Sequence, residues 1–213
     1  MLLGAHCDDI AIGVGGTLLR LAELNPGLRV RALVLTGGGG VREGEERAAL
    51  PALAPGAAID QQILGFPDGR LPQHWGEVKV ALQDLARTSA PDLVIAPHRG
   101  DAHQDHRLIA ELAPTAFRDC LIMGYEILKW EGDLGSPPLL HALPTATAER
   151  KVEVIEQSYP SQTGHGWFDR EAFLALMRIR GAQCSRRYAE AFVVDKLTLS
   201  LSPAQQIIEQ GNG

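Results

Sequence analysis

The sequence predicts an α/β domain built on a mostly parallel sheet with helices on both faces. Three observations carry this. Short apolar runs alternate with helix-like stretches along almost the whole chain, the order expected when each strand is followed by a crossover helix. The 213 residues suit one such domain, and 45% of them are hydrophobic, enough to fill a core. Two polar, histidine-rich segments each follow an apolar run, where open parallel sheets place their ligand-binding loops.

The first apolar run, 2–5, ends at Ala5-His6-Cys7-Asp8-Asp9. Gly13-Val14-Gly15-Gly16-Thr17 then opens a helix to about residue 24, stopped by Asn25-Pro26-Gly27. Residues 29–35 (RVRALVL) read as a strand, 36–44 as a glycine-rich loop, and 45–53 as a helix that Pro51 weakens. A strand at 58–64 leads to a turn at Phe66-Pro67-Asp68-Gly69. Residues 76–88 form an amphipathic helix with Val78, Val80, Ala81, Leu82 and Leu85 apolar. The buried strand 93–96 feeds the second polar segment, Pro97-His98-Arg99-Gly100-Asp101-Ala102-His103-Gln104-Asp105-His106. A helix over 105–117 carries Asp105 near its N-terminus, where negative charge is favoured. A strand at 122–128, helices at 148–159 and 169–184, and a last strand at 189–194 complete the pattern. No repeat or low-complexity linker divides the chain, so 1–213 is read as one domain.

Composition narrows the function. A net charge of −6 is a poor match to a phosphate backbone, and the local basic groups at 42–47 and 178–187 read as solvated surface or substrate contacts; no nucleic-acid partner is expected. No apolar run reaches the ~18–20 residues that cross a bilayer, and no basic n-region precedes an apolar stretch. Three cysteines without a C-x-x-C pair predict no disulfide framework. These features predict a cytoplasmic protein without a membrane span.

The two polar segments carry the chemistry. In a tight turn after a strand, His6 and Asp9, three apart, can converge on one ion, leaving Asp8 as a spare carboxylate. His103 and His106 have the same spacing with Asp105 between them. One of these imidazoles would complete a two-His, one-Asp site, and the other would stay free, held in one tautomer by Asp105. Three protein ligands plus water is the arrangement of a catalytic zinc, although this ligand set also admits other divalent metals. Cys7 lies between ligand and base and is expected to turn away. Gly13-x-Gly15-Gly16 lacks dinucleotide-binding spacing, because Leu18 stands at the last glycine position; close backbone packing is its expected role. Arg47 and Asp68 are substrate-contact candidates, able to meet hydroxyls or a phosphate. His98 reads as loop-structural or supporting, and Asp101 as a group that orients a metal-bound His or caps the loop.

His6-x-Asp8-Asp9 with Gly13-x-Gly15-Gly16-Thr17, and Pro97-His98-x-x-Asp101-x-His103-x-Asp105-His106, together resemble the PIG-L/LmbE-like zinc deacetylases. Looser matches at Arg47, Phe66–Gly69, Ser161-Gln162 and Arg180-Gly181 through Phe192 extend the resemblance over nearly the whole chain. It implies a single Rossmann-like domain. His6, Asp9 and His106 would hold zinc, and Asp8 would be the general base. His103, oriented by Asp105, would stabilise the oxyanion or protonate the leaving amine. The implied substrate is an N-acetylated amino sugar or its conjugate, and a homo-oligomer would fit the family. Cys7 replaces the common Pro, and Ile10 and Ala11 occupy places where the family often has Glu. Two rival readings follow: a family member that binds metal without turnover and acts as a scaffold, or a hydrolase of another amide or ester.

Overall fold

The computed structural model describes residues 1–198. The strands are β1 (Leu2–Gly4), β2 (Arg29–Thr36), β3 (Ala58–Phe66), β4 (Leu93–Pro97), β5 (Leu121–Tyr125), β6 (Leu139–Leu143) and β7 (Tyr188–Val193). The helices are α1 (Asp9–Leu24), α2 (Val41–Leu53), α3 (Trp75–Arg87), α4 (Gln104–Ala116), α5 (Thr145–Ser158) and α6 (Arg170–Gln183). The strands form one sheet in the order β3-β2-β1-β4-β5-β7-β6. The first five are parallel, while β7 runs antiparallel to both its neighbours. The expected α/β class, with a mostly parallel sheet between helices, is therefore observed.

The winding positions the site. The chain moves outward from β1 to β3, returns through α3 to β4 beside β1, and continues outward to β5. The strand order thus reverses between β1 and β4, so the loops leaving these neighbours diverge and open a crevice. The two histidine-rich segments are those two loops. Beneath them the sheet is covered on both faces. Ile10, Val14 and Leu18 of α1 join Leu50 and Leu53 of α2, Ile155 of α5 and Phe173 of α6 on one face. On the other, Val78 and Leu82 of α3 pack with Ile109 and Leu112 of α4.

Helix α1 begins at Asp9, four residues earlier than its glycines suggest, so Gly13, Gly15 and Gly16 lie inside it. They mark contact and not a start. A Cβ on Gly13 would overlap the ring of the fully buried Tyr125, and one on Gly16 would lie 2.5 Å from Leu143 Cδ1. The middle of α1 is also wired to its neighbours. The amides of Gly16 and Thr17 donate to the Glu190 carboxylate at 2.8 and 2.7 Å. Lys151 Nζ donates to Glu190 at 2.6 Å and to the Ile12 carbonyl at 2.5 Å. A side chain entered into a helix ladder in this way bends or fixes the helix at that point.

Three further differences have local causes. Helix α2 starts at Val41, and Pro51 sits in it on the exposed side, where its missing N–H leaves a carbonyl to water. Strand β6 was not anticipated: it is a short, half-exposed edge strand. Strand β5 stops at Tyr125, after which the buried Glu126 turns to a two-bond pairing with Arg180, at 2.6 Å for each bond. No helix among the described residues is long and apolar enough to cross a membrane.

Two glycine substitutions should have opposite signs. Gly13→Ala drives a methyl into Tyr125 and should cost about 1–3 kcal/mol. Gly44→Ala, exposed in α2 with nothing within 4 Å of its would-be Cβ, should gain up to about 1 kcal/mol from helix propensity. Urea unfolding of both variants measures this; equal effects would remove the packing account of the α1 glycines.

Candidate metal centre and active site

The loop after β1 folds back on the start of α1. Asp9, in the first turn, accepts the amides of Ala5 and His6 on Oδ2, both at 2.8 Å. A carboxylate at a helix N-terminus is favoured by the helix dipole. Two imidazole nitrogens close on the same oxygen. His6 Nδ1 lies 3.6 Å and His106 Nε2 3.3 Å from Asp9 Oδ2, and the two nitrogens are 3.1 Å apart. Three ligands about 2.0–2.1 Å from a tetrahedral zinc would be about 3.3 Å from one another. The observed triangle therefore fits a zinc-sized cation. Both amides are accepted on this same oxygen, which an ion in the triangle would share with them.

Each imidazole is held from its far side by a carboxylate. His106 Nδ1 meets Asp101 Oδ2 at 2.9 Å; His6 Nε2 meets Asp105 Oδ2 at 3.2 Å and Asp68 Oδ1 at 3.1 Å. Asp101 is fixed by the His103 amide at 2.7 Å and by Lys129 Nζ at 3.1 Å. Asp105 is fixed by the amides of Gly69 and Leu71, at 2.8 and 3.0 Å. Ionised carboxylates only accept, so the ring N–H groups point outward to them. The inward nitrogens, His6 Nδ1 and His106 Nε2, then turn their lone pairs toward each other. Such a pair at contact distance needs positive charge between or upon its members.

The electrostatics agree. Burial opposes charge on both rings, but on His6 it is outweighed by Asp9, Asp105 and Asp68, which raise the pKa well above the usual range. On His106, Asp9 and Asp101 outweigh burial and push the value up to about 9. Burial would raise the Asp9 pKa, but His106 and His6 hold it well below the usual carboxylate range. The cluster is built to hold cationic charge, which either protons or a divalent metal can supply.

Asp8, beside this triangle, has different partners. Its backbone sits at φ 121°, and its Oδ2 accepts from Arg42 Nη2 at 2.6 Å. Burial pushes its pKa up to about 7 against the pull of Arg42, with Asp9 adding to the rise. Glu46, equally buried, accepts the Asp8 amide at 3.1 Å and is likewise pushed up by burial to about 7. His103 caps α4, and its Nδ1 accepts the Asp105 amide at 3.2 Å. In the neutral ring the proton must therefore be on Nε2. Burial and the nearby His6 and His106 charges lower its pKa. Its ring centroid is 4.7 Å from those of both His6 and His106, at the mouth of the triangle.

Sequence reasoning named His6, Asp8, Asp9, His103 and His106, and the fold brings all five together. Two expectations need correction. Asp105 does not orient His103: only its backbone amide meets that ring, while its carboxylate supports His6. Arg47 lies outside the cluster, exposed on α2 and paired with Glu43 at 2.7 Å. Arg42 is the α2 arginine at the site. Asp68 stands at the rim against His6. Cys7 turns away as expected, its thiol reaching the Thr36 carbonyl at 3.5 Å, and His98 is loop-structural, accepting the Gly100 amide. The residues not singled out were Glu46, Tyr159 and Lys129. Glu46 and Tyr159 lie beside the looser matches at Arg47 and Ser161-Gln162, and their contacts with the Asp8 loop and with each other identify them; Lys129 is identified by its pairing with Asp101.

Comparison with known proteins adds a family. Residues 1–117 match the family described as PIG-L: GlcNAc-PI de-N-acetylase. The chain is similar to the uncharacterized deacetylase YaiS of Escherichia coli (strain K12), with 33% identity over 138 residues, 59% of this chain and 72% of YaiS. Its fold is similar to that of N,N'-diacetylchitobiose deacetylase from Pyrococcus horikoshii (TM-score 0.70, 22% identity, 97% of this chain and 87% of that one). It is also similar to that of GalB, the 4-carboxy-2-hydroxymuconate hydratase from Pseudomonas putida KT2440 (TM-score 0.74, 18% identity, 95% and 98%). These two structural likenesses show the fold alone; one of them is a hydratase, so the fold does not fix the reaction.

The metal-free protein should be most stable in mild acid. Asp8 and His106 have raised folded pKa values, so the stability they contribute is full below their unfolded values of 3.8 and 6.5 and is lost as pH rises through about 7 and about 9. The depressed carboxylates Asp9 and Asp101 act in the opposite sense, but below this range. A divalent metal displaces the ring protons, so the zinc-induced rise in Tm should grow between about pH 6 and pH 9. Thermal unfolding of chelated and zinc-loaded protein across this range measures it; a zinc shift that shrinks with pH would contradict the site.

Proposed function

The chain belongs to the PIG-L, or GlcNAc-PI de-N-acetylase, family, and on that premise we propose that it is a zinc-dependent hydrolase that removes the N-acetyl group from an N-acetylated amino sugar or its conjugate. The observation that carries this reading is the convergence of His6 Nδ1, His106 Nε2 and Asp9 Oδ2, with the buried Asp8 beside them but held by Arg42. Three ligands leave a position for water, and a spare carboxylate has no purpose in a purely structural site.

His6, Asp9 and His106 would hold the metal. Zinc there supplies a Lewis acid for the acetyl carbonyl and lowers the pKa of water toward ~7. Asp8 takes the proton of the attacking water as the water oxygen bonds to the acetyl carbon. The carbonyl electron pair moves onto oxygen, and His103 donates its Nε2–H to the developing charge. His103 suits donation more than protonation of the amine, because the Asp105 amide occupies its Nδ1 and its pKa is lowered. The C–N bond then breaks, and Asp8 returns its proton to the departing nitrogen, giving acetate and a free amine. Asp101 and Asp105 orient the two ligand imidazoles. Asp68, exposed at the rim against His6, would accept from sugar hydroxyls.

Free-amine release from N-acetylglucosamine, diacetylchitobiose and larger N-acetylated glycoconjugates, with and without chelator, tests the reading. Release should be abolished by chelator. Asp8→Asn should keep zinc and lose on the order of 10²–10⁴-fold in kcat, whereas His106→Ala should lose the metal. Zinc-loaded protein that releases amine only from acetyl-lysine peptides or cleaves only aryl esters would replace the sugar substrate. Zinc binding with no hydrolysis of any kind would make the chain a metal-binding scaffold.

A further inference from the structure

Asp8 and Asp9 are consecutive carboxylates with different surroundings, and the peptide joining Cys7 to Asp8 leads into the pair. Both polar ends of that peptide are gripped from one face of α2. The Cys7 carbonyl accepts from Arg42 Nη2, and the Asp8 amide donates to Glu46 Oε2 at 3.1 Å. Arg42 and Glu46 are four residues apart, so their side chains share one side of the helix. Between these contacts Asp8 takes φ 121° and ψ −24°, a conformation L-residues adopt only where the surroundings impose it.

We propose that Arg42 and Glu46, backed by Tyr159, are positioning residues that hold this peptide in its strained orientation and so set Asp8 beside the metal triangle, as base and not ligand, while Asp9 enters it. The proposal rests on the hydrolase reading above. Each member of the clamp is itself fixed. Tyr159 donates its hydroxyl to Glu46 Oε2 at 2.6 Å, and its ring lies under the Arg42 guanidinium, 5.5 Å from the centroid. Glu45 takes Arg42 Nη1 at 3.0 Å and is held by the Ser161 amide and hydroxyl, at 2.8 and 2.7 Å. Arg42 also reaches the Asp8 carboxylate, so one guanidinium sets both the backbone and the side chain of the base. Oε2 of Glu46 accepts both the Asp8 amide and the Tyr159 hydroxyl.

A double-mutant cycle tests this. In the wild-type background, Glu46→Ala and Arg42→Ala should each lower kcat about 10²-fold, the scale of a 1 Å misplacement of a reacting group, with KM and zinc content unchanged. Glu46→Gln, which keeps an acceptor for the Asp8 amide, should restore most of the rate. In the Asp8→Asn background the same alanine substitutions should cost almost nothing further, since the group they aim is gone. An equal fall in both backgrounds, a change confined to KM, or loss of zinc would overturn the proposal. Tyr159→Phe, which keeps the ring and removes only the hydroxyl, supplies the same cycle if the alanine variants do not fold. A crystal structure of Glu46→Ala or Tyr159→Phe separates the clamp from the deacetylase reading. Asp8 leaving the positive-φ region supports the clamp even in a protein without deacetylase activity, and Asp8 remaining there overturns it.

Discussion

One carboxylate organises the carboxyl edge of this sheet. Asp9 ties down the turn after β1 through two backbone amides, begins α1, and draws together imidazoles that lie 100 residues apart in the chain. A buried anion is tolerable there because each of its neighbours offers positive character: two amides, a helix N-terminus and two histidines. Asp101 and Asp105 repeat the pattern behind the rings. The result is a cluster whose carboxylates favour positive charge on both imidazoles.

Holding such a cluster in place requires a rigid base, and α1 supplies it. The Tyr125 ring lies against Gly13, and its hydroxyl donates to the Leu3 carbonyl at 2.7 Å, so one side chain sets the height of the helix against β1. Lower down, Lys151 and Glu190 bind the middle of α1 to α5 and β7. Breaking such a buried pair by removing one partner leaves a charge uncompensated, whereas the intact pair adds direction more than strength. Packing in the core thus reaches the ligands through a single helix, and displacement of α1 moves Asp8 and Asp9 together.

The sheet, the two loops and the five central residues were legible because all of them are local patterns: apolar runs, and ligands within ten residues of a strand end. What failed depended on helix phase. Residues 103 and 105 are two apart at a helix start, where side chains do not face each other, so Asp105 turned to His6 across the crevice. Arg47 lies five positions beyond Arg42 on α2, which carries it well around the helix from the site, and the helix starts four residues earlier than the glycine-rich stretch suggested. Asp101 found His106 because the loop doubles back before α4. Glu46 and Tyr159 meet from separate helical regions, a contact no single-sequence pattern contains.

Cys7 has a chemical consequence of its own. Its thiol lies in the loop after β1, yet it is buried, its pKa is pushed up to about 12 by burial with Glu46 adding to the effect, and it packs where a Cβ on Gly37 would touch its sulfur. Thiolate is the form that reacts with electrophiles and peroxides, and here it is scarce at any physiological pH. The loop therefore carries sulfur that is silent toward alkylation. Maleimides and similar probes would be directed to the half-buried Cys120 and Cys184, the first of them slowed by burial of its own thiol, which makes these positions handles for covalent labelling away from the loop after β1.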